Sequence, residues 1–265
     1  MSFFPLLNIN ESAGFCTVHN FPPNNWENIS KEPKNLWSIY SDGKKWITNL
    51  ICKLNYGESK TIYYKDFNLN TESGVLPIII LQFRDKPLAN NLSLLPNHEF
   101  KYTKTPEWRA TVGFNYKGTS TSYQGEINPF PTKASLLTFH PFIQYNEIEN
   151  FFVFVNLEAK PQLRESKIEI YNSNNRKLID IVKIKSNSIN IIPLNRYKIK
   201  QKELPIFLSR NMAGIPFGFG INKTAPMLSL EHTHPPASFV VHGNRFNYQK
   251  KIKENWFKIL NNEQL

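Results

Sequence analysis

With 265 residues, 40% hydrophobic and 14% aromatic, the chain is long enough for one or two domains and too apolar for intrinsic disorder. Its strongest apolar run, residues 75–83, contains Pro77 and Gln82 and falls well short of the ~20 residues a spanning helix needs, so no membrane span is expected. The formal charge of +11 is lopsided: residues 1–160 carry 15 basic and 14 acidic side chains, residues 161–265 carry 17 and 7. The second part therefore has a field that attracts anions.

The opening Met1-Ser2-Phe3-Phe4-Pro5 has no basic n-region and no small-residue cleavage site, so a cytoplasmic location is expected rather than secretion. The two cysteines, Cys16 and Cys52, fit free thiols in a reducing compartment, although their spacing does not decide whether they pair. Residues 36–40 and 46–54 are β-type runs around Asp42-Gly43, a hairpin signal because both central positions of such a turn favour positive φ. Strands are expected over 60–67 and 75–83, and a second hairpin over 110–116 and 120–127 around Lys117-Gly118. Further on, 151–157 has the continuous apolarity of a buried strand. Residues 167–171 alternate with period two, Asn172 to Asn175 form a turn cluster, and 178–184 and 188–194 follow as strands. One segment has helical spacing: Ile252, Trp256 and Leu260 recur at i, i+4 and i+8 between Lys250, Lys251, Lys253 and Lys258, giving an amphipathic helix that packs on the body.

An internal repeat runs through these elements. The segment from Ile39 to Ile47 resembles that from Ile170 to Ile179, Thr61 to Tyr64 matches Ser188 to Ile191, and Leu76-Pro77-Ile78 matches Leu204-Pro205-Ile206. Gly113-Phe114 before Ser122-Tyr123 parallels Gly218-Phe219 before Ser229-Leu230, in the same order. Short strands at 8–12-residue spacing around such turns resemble immunoglobulin-like or fibronectin-like modules. The predicted fold is all-β: two tandem, weakly similar β-sandwich halves, residues 1–145 with an insertion near 84–107 and residues 146–246, then a short C-terminal helix over 247–261.

Two constellations could carry chemistry. In Glu231-His232-Thr233-His234-Pro235-Pro236, a strand would point His232 and His234 to one face, about 7 Å apart, with His242 as a third ligand; that set suits a divalent metal, zinc or iron. It resembles the His-x-His of cupin metal sites, without the Glu that follows there, and Glu231 would face the other way. Two histidines that merely face water fit the same residues. Cys16-Thr17-Val18-His19 would need a turn to chelate, because i and i+3 point to opposite sides of a strand. The second constellation is Arg196, Lys198, Lys200 and Lys202, whose cations share one face if the segment is extended and would form a salt-sensitive polyanion patch. An ordinary solvated face fits that charge run equally.

The chain has no Gly-x-Ser-x-Gly elbow, no phosphate-binding loop, no His-Glu-x-x-His and no signature of sequence-specific nucleic-acid binding. The first expectation for function is thus an accessory or ligand-binding β-sandwich protein with a carbohydrate or other anionic ligand, because 5 Trp and 11 Tyr supply rings that stack on sugars. A small metal-dependent enzyme using His232, His234 and His242 is one alternative, and a polyanion-binding protein using the basic second part is the other.

Overall fold

The computed structural model describes residues 3–20, 32–67, 69, 76–84, 86–96, 110–140, 147–200, 203–232 and 245–261, the side chains of 245–250 excepted. In chain order the first strands are β1 (Phe4–Leu6), β2 (Ala13–His19), β3 (Lys34–Ser41), β4 (Trp46–Leu54) and β5 (Ser59–Tyr63). A 3-10 turn over Tyr64–Asp66 precedes β6 (Leu76–Pro77), β7 (Ile79–Arg84), β8 (Asn91–Leu92), β9 (Ala110–Tyr116) and β10 (Thr119–Gly125). Then come β11 (Leu136–Phe139), β12 (Ile148–Val155), β13 (Glu165–Asn172), β14 (Leu178–Lys185), β15 (Ser188–Pro193), β16 (Pro205–Ser209), β17 (Ile215–Asn222) and β18 (Leu228–His232). The chain closes with helix α1 (Arg245–Leu260). The fold is all-β and sandwich-like, with four antiparallel sheets and one short C-terminal helix.

The sheets have the orders β1-β7-β3-β4-β8, β10-β9-β2-β5, β11-β16-β13-β14 and β18-β17-β12-β15-β6. The first and third share one pattern, as do the second and fourth. Hairpins β3–β4 and β13–β14 hold the same place, and so do β5 and β15, β7 and β16, β9 and β17, and β10 and β18.

Turn chemistry sets the hairpins. Gly43 has φ 92°, and Asp42 Oδ1 accepts from the Lys44 and Lys45 amides at 2.8 Å each. Lys117 and Gly118, at φ 47° and 83°, give the double positive-φ turn expected between β9 and β10. In the asparagine cluster the left-handed residue is Arg176 at φ 58°, not an asparagine. Asn172 instead uses its side chain to accept from the Asn174 amide at 2.9 Å, which shapes the turn one step earlier.

β12 explains the layering. Its continuous apolar run splits by period two. Phe151, Val153 and Val155 enter a core shared with the first two sheets, while Phe152 and Phe154 enter a second core with Ile168, Ile170 and Phe207 of the third sheet. The fourth sheet is thus covered on both faces, which is why its central strand lacks polar alternation. Phe114 of β9 meets Phe219 of β17 with ring centroids 5.1 Å apart, and Tyr123 of β10 meets Phe217 at 5.4 Å.

Two expected strands are divided. Residues 60–67 form a strand only to Tyr63 and then wind into the 3-10 turn. The run 75–83 serves two sheets: Leu76 and Pro77 pair with Ile189 and Ser188 of the fourth sheet, whereas β7 joins the first. Pro77 has no N–H for a ladder and sits on the edge of its sheet, where that lack is tolerated.

Helix α1 covers the outer face of the third sheet, but not with the stripe its spacing suggests. Leu260 is buried at 5% exposure with Ile206 and Leu208, and Trp256 and Phe257 pack there, while Ile252 is 56% exposed. Lys253 takes the inward position instead, half-buried, its Nζ donating to the Ser135 carbonyl at 2.7 Å. Arg210 binds Glu169 through two hydrogen bonds of 2.9 and 3.0 Å, lies 5.2 Å over Phe257 and donates to Asn261, so the sheet holds the helix end by a polar latch.

Candidate functional site

A groove of about 720 Å³ lies on the open flank between the first two sheets, along β4 and β5. Three sequence stretches build it. The β3–β4 hairpin supplies Ser38, Tyr40 and Asn49, β5 supplies Lys60, Thr61 and Tyr63, and the 3-10 turn region supplies Asp66 and Phe67. Buried Ser38 and Ile62 lie at its floor, whereas Asn49, Lys60 and Asp66 are exposed at its margins. Tyr40, Tyr63 and Phe67 are half-buried, each with part of its ring open.

The turn that ends β5 is fixed from both sides. Asp66 Oδ2 accepts from the Tyr63 amide at 3.3 Å, and the Tyr64 hydroxyl donates to the Pro77 carbonyl at 2.7 Å. Burial raises the Tyr64 phenol well above its ordinary value, so it stays a neutral donor. Thr61 shares a hydroxyl–hydroxyl hydrogen bond of 2.8 Å with Thr17 of β2, and Lys65 lies 5.5 Å over the Tyr63 ring. Cys52 also lines the groove, its thiol shifted upward chiefly by burial. Both Cys16 and Cys52 are free, and Cys16 is fully buried in β2. An open trough with rings on its walls and hydroxyl, amide, carboxylate and ammonium groups around them can stack on a flat apolar face and hydrogen-bond its edges at once.

His232 ends β18, half-buried, with its ring 4.3 Å from that of Tyr123 and 6.3 Å from that of Phe217. It therefore packs into the seam between the second and fourth sheets. The Tyr123 hydroxyl beside it is buried with no hydrogen-bond partner. Glu231 pairs with Gly218 on the opposite face, as strand alternation requires. His234 and His242 lie outside the described residues. Among the described residues, no three His, Cys, Asp or Glu side chains gather as a metal-binding group. His19 of β2 shares a hydrogen bond of 2.7 Å with Ser59, on the face opposite Cys16.

The basic stripe begins at a turn. Residues 194–197 turn, with the Tyr197 amide donating to the Leu194 carbonyl at 2.9 Å. Arg196 pairs with Asp180 at 3.1 Å and stacks on Tyr197 at 4.7 Å. The Tyr197 hydroxyl is pushed up to about 12 by burial and by its bond to Asp180. Lys198 and Lys200 are exposed on either side of buried Ile199, and Lys202 lies outside the described residues. Just before the stripe, the Asn195 side chain donates to the Ile148 carbonyl at 2.8 Å and accepts from the Asn150 amide of β12 at 2.7 Å, which ties the start of the stripe to the fourth sheet.

The groove was not singled out in the sequence. Residues 60–67 read as one continuous strand there, and nothing local shows that Tyr40, 23 positions before Tyr63, faces the same trough. The chain matches no protein-family model, no curated protein and no solved structure, so the site rests on its own residues.

Proposed function

We propose that the protein is a ligand-binding β-sandwich protein whose site is the β4–β5 groove and whose ligand is a carbohydrate. The observation that carries this reading is the meeting of Tyr40, Tyr63 and Phe67 with Asn49, Thr61 and Asp66 in one open trough of about 720 Å³. That volume falls within the ~300–1,000 Å³ usual for small-ligand sites. Sugar rings present an apolar C–H face to an aromatic ring and a rim of hydroxyls to amide and carboxylate groups, and the trough offers both. Its open form suits one stretch of a chain rather than a fully enclosed small molecule.

Calorimetric titration with a panel of neutral oligosaccharides tests this. At least one should bind, and Tyr63→Ala should weaken that binding at least tenfold while leaving the melting temperature within about 2 °C, because Tyr63 is half-exposed. Failure of every saccharide to bind, or binding indifferent to Tyr63→Ala and Tyr40→Ala alike, would overturn the reading.

A further inference from the structure

A second groove, of about 380 Å³, lies between β14 and β15. Its place in the strand order is the point of interest. β14 follows β13 in the third sheet as β4 follows β3 in the first, and β15 flanks β12 in the fourth as β5 flanks β2 in the second. The two grooves thus occupy the same interval of the same strand pattern, in segments whose sequences also correspond: Ile39 to Ile47 with Ile170 to Ile179, and Thr61 to Tyr64 with Ser188 to Ile191. Their linings differ in kind. The first has tyrosines and a phenylalanine; the second has Val182, Ile184, Ile189 and Ile191 with Lys183, Lys185 and one carboxylate, Glu165.

The strand register sharpens the contrast. Glu165 stands directly across from Lys185, an ordinary opposite-charge pair, but Lys167 stands directly across from Lys183. Like charges facing each other across an antiparallel pair are unfavourable. Both ammonium-bearing side chains are exposed. Glu165 and Glu169 flank Lys167 on that face and offset part of the repulsion there, whereas an anion seated along β14 would offset it at Lys183. β14 is also the outermost strand of its sheet among the described residues, so the groove is open to an extended ligand.

We propose that the β14–β15 groove is a second saccharide site, equivalent in position to the first and taking a sulfated, polyanionic chain. The choice of a saccharide rests on the function proposed for the first groove; the choice of an anion rests on Lys183 and Lys185, which line the second groove, with Lys167 directly across from Lys183. A duplicated unit whose copies diverged in this way would hold neutral and charged stretches of one glycan at two points.

The test uses the full chain and a sulfated hexasaccharide prepared from heparin, with binding measured by calorimetry across a salt series. Lys183→Glu with Lys185→Glu should weaken binding at least tenfold and lower the slope of log affinity against log salt by about one to two. Lys167→Gln should weaken it less, and Tyr63→Ala should leave it unchanged. The melting temperature of each variant shows that it is folded. No binding at low salt overturns the proposal. So does binding that survives the Lys183/Lys185 double change, whether because Lys198→Glu with Lys200→Glu abolishes it or because the lysines only guard an exposed strand edge against self-association. Failure of neutral sugars with retention of these effects refutes the first groove and leaves the anionic site standing.

Discussion

His140 and Gly218 show how much a single contact can decide. His140 is 3% exposed, its Nε2 has no hydrogen-bond partner, and its ring meets Phe152 and Phe207 edge-on at 5.4 and 6.3 Å. Burial holds its pKa down to about 4 from an ordinary 6.5, so the folded protein keeps this ring neutral. The folded state therefore binds fewer protons here than the unfolded chain. Its stabilising share is complete above pH ~6.5 and is lost as pH falls from there to about 4, a change of about 3 kcal/mol. Urea denaturation at pH 7.5 and 4.5 should show that loss, and His140→Leu should abolish most of it while leaving stability at pH 7.5 equal or higher, since a buried unpaired nitrogen is removed. An undiminished pH response in the variant would assign the titration to another group. Gly218 faces the same ring: a β-carbon there would stand 1.9 Å from Nε2. Gly218→Ala should cost about 2–3 kcal/mol by overpacking, measured in the same denaturation experiment.

Among the elements, α1 separates pattern from packing. The i, i+4, i+8 series of Ile252, Trp256 and Leu260 identifies a helix, yet the docked face is Lys253, Trp256, Phe257 and Leu260. Phe257 brings Arg210 and its Glu169 partner into the contact, and the Lys253 stem is long enough to cover apolar surface and still deliver its ammonium to Ser135. Trp256 also meets Phe139 at 5.3 Å. Trp256→Ala should therefore destabilise by about 2 kcal/mol, whereas Ile252→Lys should change stability by less than about 0.5 kcal/mol. Thermal unfolding of the two variants distinguishes this docking from one that uses Ile252, which would reverse the order.

For the whole molecule, the decisive feature is that one apolar core runs through three of the four sheets. Phe114 of the second sheet and Phe219 of the fourth are both buried and in contact, as are Tyr123 and Phe217. Unfolding should accordingly be a single cooperative transition by calorimetry, and Phe219→Ala should lower its midpoint as a whole by about 3 kcal/mol of stability. Two resolved transitions, with only the later one shifted by Phe219→Ala, would show instead that the sheets unfold in separate pairs.

Local chemistry made much of this legible from the sequence alone. Lys117-Gly118 fixes its hairpin with two positive-φ residues, whereas at Asp42-Gly43 only Gly43 takes positive φ and Asp42 caps the turn with its side chain; the period-two alternation of 167–171 marks β13, although β13 is buried on both faces from Ile168 to Tyr171. The all-β class and the C-terminal helix follow from such short-range signals. Tertiary structure alone decided where those signals stop. The run containing Pro77 is continuous in sequence but divided between two sheets, because Leu76 and Pro77 pair with β15 and the residues from Ile79 on pair with β3. The groove joins Tyr40 to Tyr63 only after two sheets have packed, and Arg196 turns to Asp180 and Tyr197 where Asn195 binds β12. A side chain's neighbours across a sheet interface come from segments tens of residues away, and periodicity within one segment carries no information about them.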